Sequence, residues 1–314
     1  MKNFFDYANR LRSGYFILQC VLKETDVWGL ILINKKKRMM ETGNLNKCLE
    51  MTNFSADYME KVAIPTHLRE VEEEFGVKIL LAVESGSRAW GFESKNSDWD
   101  VRFIYVHKPE WYFMIREQRD VIERMYDDDV DLAGWELRKA LVLFSRGNPS
   151  LLEWFNSPKI YYKNEEFIRR ILEVESLCFN PIKGMYHYNS MYNKHNERYL
   201  QKDGCSAKRF LYYLRGVLAC KWIEKNLTMP PVAFKELVEG VVEDEEIKAQ
   251  IDRLLQLKKS GNECDLQLVD AGLQLFTHRL ADYYDARIGS FRPEQQRGSH
   301  EKLDAILYDM VLSQ

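Results

Sequence analysis

Two aspartates one residue apart, Asp98 and Asp100, stand behind a Gly-Ser turn at the head of an apolar run, and they narrow the available folds most. The stretch from Glu84 to Tyr105 reads ESGSRAWGFESKNSDWDVRFIY, and an apolar run from Val77 to Val83 leads into it. Apolar runs of this length bounded by Gly, Asn and Ser read as strands, so the pattern predicts strand, turn, loop, strand. Side chains two residues apart on a strand share a face, which sets Asp98 and Asp100 about 6–7 Å apart at ~3.3 Å rise per residue. Two carboxylates in one cleft repel each other unless a cation lies between them. Hard divalent ions such as Mg²⁺ take oxygen ligands from one or two carboxylates together with substrate phosphates. The N–H groups of a glycine turn, with the Ser87 hydroxyl, suit the phosphates. The segment reads as a place to hold a metal-bound nucleoside triphosphate.

Two-metal phosphoryl transfer calls for a third carboxylate on a neighbouring strand. Asp131, flanked by Val130 and Leu132 in VDLAGW, is the expected member, ahead of Asp129 and Asp127 in the acidic turn before it. Arg102 continues the Asp98/Asp100 face and is read first as a salt bridge that offsets their charge. Other chemistries find little support. The six cysteines are scattered with no C-x-x-C pair, and the histidines form no H-E-x-x-H, which argues against zinc and disulfides and for a reducing cytoplasm. No run approaches the ~18–20 apolar residues of a membrane span. The net charge of −3 leaves any polyanion contact to a local patch.

The expected architecture is α+β, a small mixed-sheet domain over residues 51–160 followed by a helical domain over 161–314. Pro65–Phe75 is expected as a helix, and Val77–Glu84, Asp98–Val106 and Val130–Trp135 as strands. Glu136–Phe144 and Ser150–Phe155 follow as helices, the second with Ser150 as N-cap and Glu153 in the capping-box position. Helical spacing then dominates over 164–178, 181–202, 206–226, 232–239, 243–259 and 263–288. Residues 1–50 do not continue into this pattern. They read either as a loosely attached helix and strand or as an extension upstream of a start at Met51.

The Gly86-Ser87 turn with Asp98-x-Asp100 resembles the signature of the polymerase-β-like nucleotidyltransferase superfamily. The words ESGSRAWGFESKNSDWDVRFIY, DLAGWELRKAL, GNPSLLEWFNSP and AKRFLYYLRGVLACKWIE resemble one bacterial branch, the RNA repair pathway DNA polymerase beta family, over about residues 64–290. The resemblance implies that Gly86 and Ser87, with Arg88 beside them, bind the nucleotide. It also implies that Asp98, Asp100 and Asp131 hold two Mg²⁺ ions, replaceable by Mn²⁺. The implied activity is transfer of a nucleoside monophosphate from an NTP to a hydroxyl, with a role in RNA repair.

In the helical half, Lys208, Tyr212 and Arg215 fall at i, i+4 and i+7 and share a helix face. Residues 194–215 hold six Lys/Arg against two acids, a local excess of four positive charges interleaved with tyrosines. Such a face suits base stacking and phosphate pairing, and joins the nucleotide-binding candidates. His187, His195, Lys139, Asn148 and Glu153 are weighed mainly as structural. An RNA 3′ end is the first choice of acceptor, and a small-molecule or protein hydroxyl the rival. Alternatives of another class are a non-catalytic nucleotide- or RNA-binding module and an antitoxin-like partner protein.

Overall fold

The computed structural model describes residues 55–94, 97–200, 207–260, 269–293 and 300–314, without the side chains of residues 176 and 197–200. The chain divides into two compact units, Met1–Met59 and Glu60–Gln314. The extension expected over residues 1–50 lies outside the described residues. What is described of the first unit includes the single turn Ala56–Tyr58, where Ser55 Oγ accepts the Tyr58 N–H at 3.2 Å.

In the second unit, helix α1 (Ile64–Phe75) carries Pro65 in its first turn and ends on Gly76 at φ 61°, whose N–H bonds the Glu72 carbonyl. Strand β1 (Val77–Glu84), the short helix α2 (Gly86–Trp90) and strand β2 (Trp99–His107) follow. Next come α3 (Pro109–Tyr112), β3 (Val121–Met125), β4 (Val130–Glu136), α4 (Leu137–Ser145), α5 (Pro149–Phe155) and β5 (Ile160–Lys163). The sheet order is β3-β4-β2-β1-β5. β2 and β4 run parallel, and the other neighbouring pairs are antiparallel. The rest is helical: α6 (Glu165–Cys178), α7 (Pro181–Leu200), α8 (Ala207–Asn226), α9 (Phe234–Val241), α10 (Glu245–Lys259), α11 (Ala271–Arg287) and α12 (His300–Leu312). One buried cluster runs from Leu81, Val83 and Ile104 through Phe144 and Leu152 to Phe210 and Leu218, and on to Ile306. The α+β order expected from the sequence, strands first and helices after, is the observed one. Among the described residues no helix is long and apolar enough to cross a membrane.

Three local readings are corrected. The Gly-Ser turn is one and a half turns of helix. Helix α5 is capped by Asn148, whose Oδ1 accepts the Leu151 N–H at 3.0 Å, with Pro149 in the first turn. A proline at this position needs no N–H partner and fixes φ for the helix, so the cap falls one residue before it, not at Ser150. The stretch Ile160–Lys163, given no element by the sequence pattern, is strand β5. It is held on the free edge of β1 by Glu84 N to Lys159 O at 2.9 Å and Asn164 N to Leu80 O at 2.8 Å.

His67 ties α1 to the acidic turn before β4. Its Nε2 lies 3.0 Å from Asp128 Oδ2, and its ring stacks on Tyr126 with centroids 3.7 Å apart. Burial lowers the imidazole pKa, but the Asp128 and Glu70 carboxylates outweigh it and the net shift is upward from 6.5. A raised folded-state pKa stabilises fully below the unfolded value and loses that contribution as pH rises through the folded one. The wild-type melting temperature is therefore expected to fall more steeply than that of His67→Gln as pH rises above 6.5, in thermal melts compared at matched pH.

Candidate active site

The parallel register of β2 on β4 sets Asp100 opposite Asp131 and Arg102 opposite Ala133. Partners on neighbouring strands share a face, about 4.8 Å apart between strands. On β4, Val130, Leu132, Gly134 and Glu136 are buried while Asp131, Ala133 and Trp135 are half-exposed. Two-residue alternation thus delivers Asp131 to the face that carries Asp100. Asp98 stands one residue before β2 and is exposed. Arg88 braces that entry: Nε donates to Asp98 O at 3.0 Å and Nη2 to Ser97 O at 2.7 Å. Its guanidinium carbon lies 3.7 Å from the Trp99 ring centroid. Arg88, expected among the nucleotide-binding residues, thus spends its donors on the loop that presents Asp98. The side chain is only 9 % exposed, held between two carbonyls and an indole.

Gly86 follows β1 at φ 59°, in the left-handed region that favours glycine. A Cβ there would stand 3.1 Å from Asp100 Cγ and closer still to one of its oxygens. Ser85 N donates to Asp100 O at 2.8 Å, so the turn is sewn to β2 at the same residue. The missing side chain at 86 is what lets the Asp100 carboxylate lie beneath the turn, with Ser87, also buried, following it. Gly86→Ala is expected to displace that carboxylate and cut turnover about a hundredfold or more, on the scale of losing one preorganised electrostatic contact. Pyrophosphate release checks this, and circular dichroism should show the fold retained.

Burial raises the Asp100 pKa, and the nearby carboxylates of Asp131 and Asp98 raise it further, while Arg102 and Lys208 pull it down. Arg102 forks across the pair, with Nη2 at 3.2 Å from Asp100 Oδ1 and 2.9 Å from Asp131 Oδ2, and Nη1 donates to Asp131 O at 3.0 Å. Arg102 is therefore the salt bridge that the strand period suggested. Among the described residues no three His, Cys, Asp or Glu side chains converge to hold one metal ion. The Arg102 guanidinium stands where Asp100 and Asp131 would close on a shared ion. Asp98 and Asp100, carboxylates in each other's field with Gly86 open beside the second, are the hard-oxygen pair that magnesium takes when phosphates complete its shell. The residues fit one ion there. A second ion between Asp100 and Asp131 requires Arg102 to turn away.

The face of α8 named from helical spacing points toward this site but sinks along its length. Lys208 is half-exposed and within electrostatic reach of Asp100. Tyr212 packs edge-on against Trp90 of α2 at 4.9 Å. Arg215, expected as a nucleotide contact, is fully buried. Its Nη2 lies 3.0 Å from Glu153, its Nη1 donates to Val232 O at 3.1 Å, and its guanidinium carbon sits 4.6 Å from the Trp90 ring centroid. Glu153 serves Arg215 and the Tyr188 hydroxyl (2.8 Å) rather than a capping box. Lys139 pairs with Asp120 at 2.9 Å, apart from the aspartates. Residues 201–206 of the basic stretch lie outside the described residues.

Three features escaped the sequence reading. Glu84 is buried at the end of β1; its Oε1 accepts the Asp100 N–H at 2.8 Å and its Oε2 accepts from Tyr161. Burial pushes the Glu84 carboxyl up to about 7. Lys258, fully buried on α10, donates to the Phe92 carbonyl at 2.6 Å and holds the loop after α2. On the other side of the aspartates a cleft of about 390 Å³ opens over Ala133, with Asp131 at one end and Trp135 and Trp154 at the other.

The sequence profile of the RNA repair pathway DNA polymerase beta family matches residues 59–309. Over 207 residues the chain is 46 % identical to uncharacterized protein YcgL of Bacillus subtilis (strain 168), covering 66 % of this chain and 80 % of that protein. The solved structure of a nucleotidyltransferase-like protein from Exiguobacterium sibiricum 255-15 shares 12 % identity over 77 % of this chain and 86 % of its own. Its TM-score is 0.29, a superposition too loose to bear on the site.

Proposed function

The chain belongs to the RNA repair pathway DNA polymerase beta family and is a nucleotidyltransferase, and on that premise we propose that it moves a nucleoside monophosphate from an NTP to a hydroxyl acceptor, first an RNA 3′ end, in a magnesium-dependent reaction. The observation that carries the reading is the in-register pair Asp100 and Asp131 beside a glycine whose missing Cβ makes room for the Asp100 carboxylate.

In this reading the triphosphate docks at Gly86 and Ser87 on the β1 side of Asp100, and Lys208 on α8 offsets its charge. Asp98 and Asp100 would hold one Mg²⁺, and Asp100 with Asp131 a second once Arg102 has turned away. When bound, these ions neutralise the phosphate oxygens and lower the pKa of the attacking hydroxyl. The acceptor oxygen bonds to the α-phosphorus as the bond to the bridging oxygen breaks; pyrophosphate leaves and Asp131 takes the hydroxyl proton. Rate comes from positioning and charge compensation by groups already in place. The division into a catalytic part before about residue 160 and a helical part after it belongs to this reading. The helical part supplies Lys208 and the packing behind α2.

The experiment is incubation with α-labelled NTPs, Mg²⁺ and a short RNA bearing a free 3′ hydroxyl. Extension of the RNA with an equal yield of pyrophosphate is expected. Phosphate contacts release counterions, so the logarithm of RNA affinity should fall linearly with the logarithm of salt concentration. A flat salt response together with no extension would return the acceptor to a small molecule or a protein hydroxyl.

A further inference from the structure

The cleft beside Asp131 has the form of a second, separate subsite. Strand registers lay the face out in three rows across β3, β4 and β2: Met125–Asp131–Asp100, then Glu123–Ala133–Arg102, then Val121–Trp135–Ile104. The small Ala133 in the middle row leaves the hollow. Trp135 is half-exposed at the far end, backed by the buried Trp154 with ring centroids 4.1 Å apart. Asp131 and Trp135 are four residues apart on one strand, hence ~13 Å between their Cα atoms at ~3.3 Å per residue. The sheet order puts this cleft on the β4 side of Asp100 and the Gly86 turn on the β1 side. One face therefore offers two places around a single carboxylate.

We propose that this cleft binds the terminal nucleoside of a single-stranded nucleic acid acceptor, with its base against Trp135 and its ribose over Ala133, so that the terminal hydroxyl reaches Asp131. The proposal rests on the nucleotidyltransferase reading and names where the second substrate sits. A volume of about 390 Å³ has room for one nucleoside. Two arginines, Arg102 and Arg124, and two acids, Glu123 and Asp131, line the cleft, so its own charge cancels. Arg124 is already paired with Glu74. Affinity in the cleft then comes from stacking on the indoles, which tolerates any base because every base has a π-face.

The test is equilibrium binding of a 5′-fluorescein hexa-adenylate RNA to the full chain, followed by anisotropy and tryptophan quenching, without NTP. The wild type is expected to bind with quenching. Trp135→Ala should weaken binding by about tenfold or more, the size of one base–aromatic stack, and Trp135→Phe should restore most of it. Ala133→Leu, which fills the hollow and leaves both indoles in place, should weaken it likewise. Affinity for a nonhydrolysable NTP with Mn²⁺ should hold in all three variants. Wild-type affinity for the RNA in both Trp135→Ala and Ala133→Leu would overturn the proposal, as would failure of the wild type to bind. Absence of pyrophosphate release by the wild type is a separate result. It would overturn the transfer reading and leave the binding outcome to stand or fall by itself.

Discussion

Asp100→Asn is expected to lower nucleotidyl transfer by about a hundred- to a thousandfold, the scale of removing one preorganised electrostatic contact, while thermal stability stays level or rises. The two effects part because the carboxylate is held against its own electrostatics. Burial raises the Asp100 pKa, and Asp131 and Asp98 raise it further. A carboxyl whose folded-state pKa is raised costs folding free energy once the pH passes its unfolded value near 3.8. Asn removes that cost and keeps the shape, and Arg102 still has Asp131 at 2.9 Å. Pyrophosphate release and a thermal melt at neutral pH check the pair of outcomes. A lower melting temperature with turnover intact would mean that Asp100 is a structural residue.

Arg215→Ala is expected to do the reverse and destabilise the helical half. Removing one partner of a buried ion pair leaves the other charge unpaired, at a cost of about 3–5 kcal/mol. For a unit of this size that lowers the melting temperature by roughly 6–20 °C. Glu153 would lose the guanidinium 3.0 Å away, Val232 O its donor, and Trp90 the cation over its ring. Arg215→Leu combined with Glu153→Leu should recover part of the loss, because an apolar pair leaves no stranded charge. A melting temperature within a degree of wild type for Arg215→Ala, with NTP affinity reduced, would return Arg215 to the nucleotide site.

The contrast between these two residues shows how far the sequence reaches. Strands β1, β2 and β4 were legible because each is a short apolar run with polar boundaries. Asp98 and Asp100 share a face by a two-residue period that needs no tertiary information. The choice of Asp131 over Asp129 also follows from local pattern. Asp131 sits inside the strand, whereas Asp129 is in the preceding turn with φ 62°. Its exact match to Asp100 depends on β2 and β4 pairing in parallel, which no local pattern encodes. The depth of Arg215 was not legible because α8 is buried around most of its circumference, so spacing on the helix carries no information about depth. Arg88 could not be told from a phosphate contact without the fold of the loop that it braces. The buried Glu84 and the cleft at Trp135 gave no signal because both arise from strands that meet only in three dimensions. Edge strand β5, four residues long, forms because β1 has a free edge to offer.

In the proposed site, Asp98, Asp100 and Asp131 serve nucleotidyl transfer. The most direct measurement is pyrophosphate released from α-labelled NTP with Mg²⁺ and a free-hydroxyl acceptor, set beside label found in that acceptor, for wild type and Asp98→Ala. Asp98 is exposed and makes no side-chain hydrogen bond or ion pair among the described contacts, so its loss should leave the fold intact. Equal yields of pyrophosphate and transferred label are expected in the wild type, and neither product in Asp98→Ala. Nucleotide bound without turnover by the wild type, or full turnover by Asp98→Ala, would contradict it.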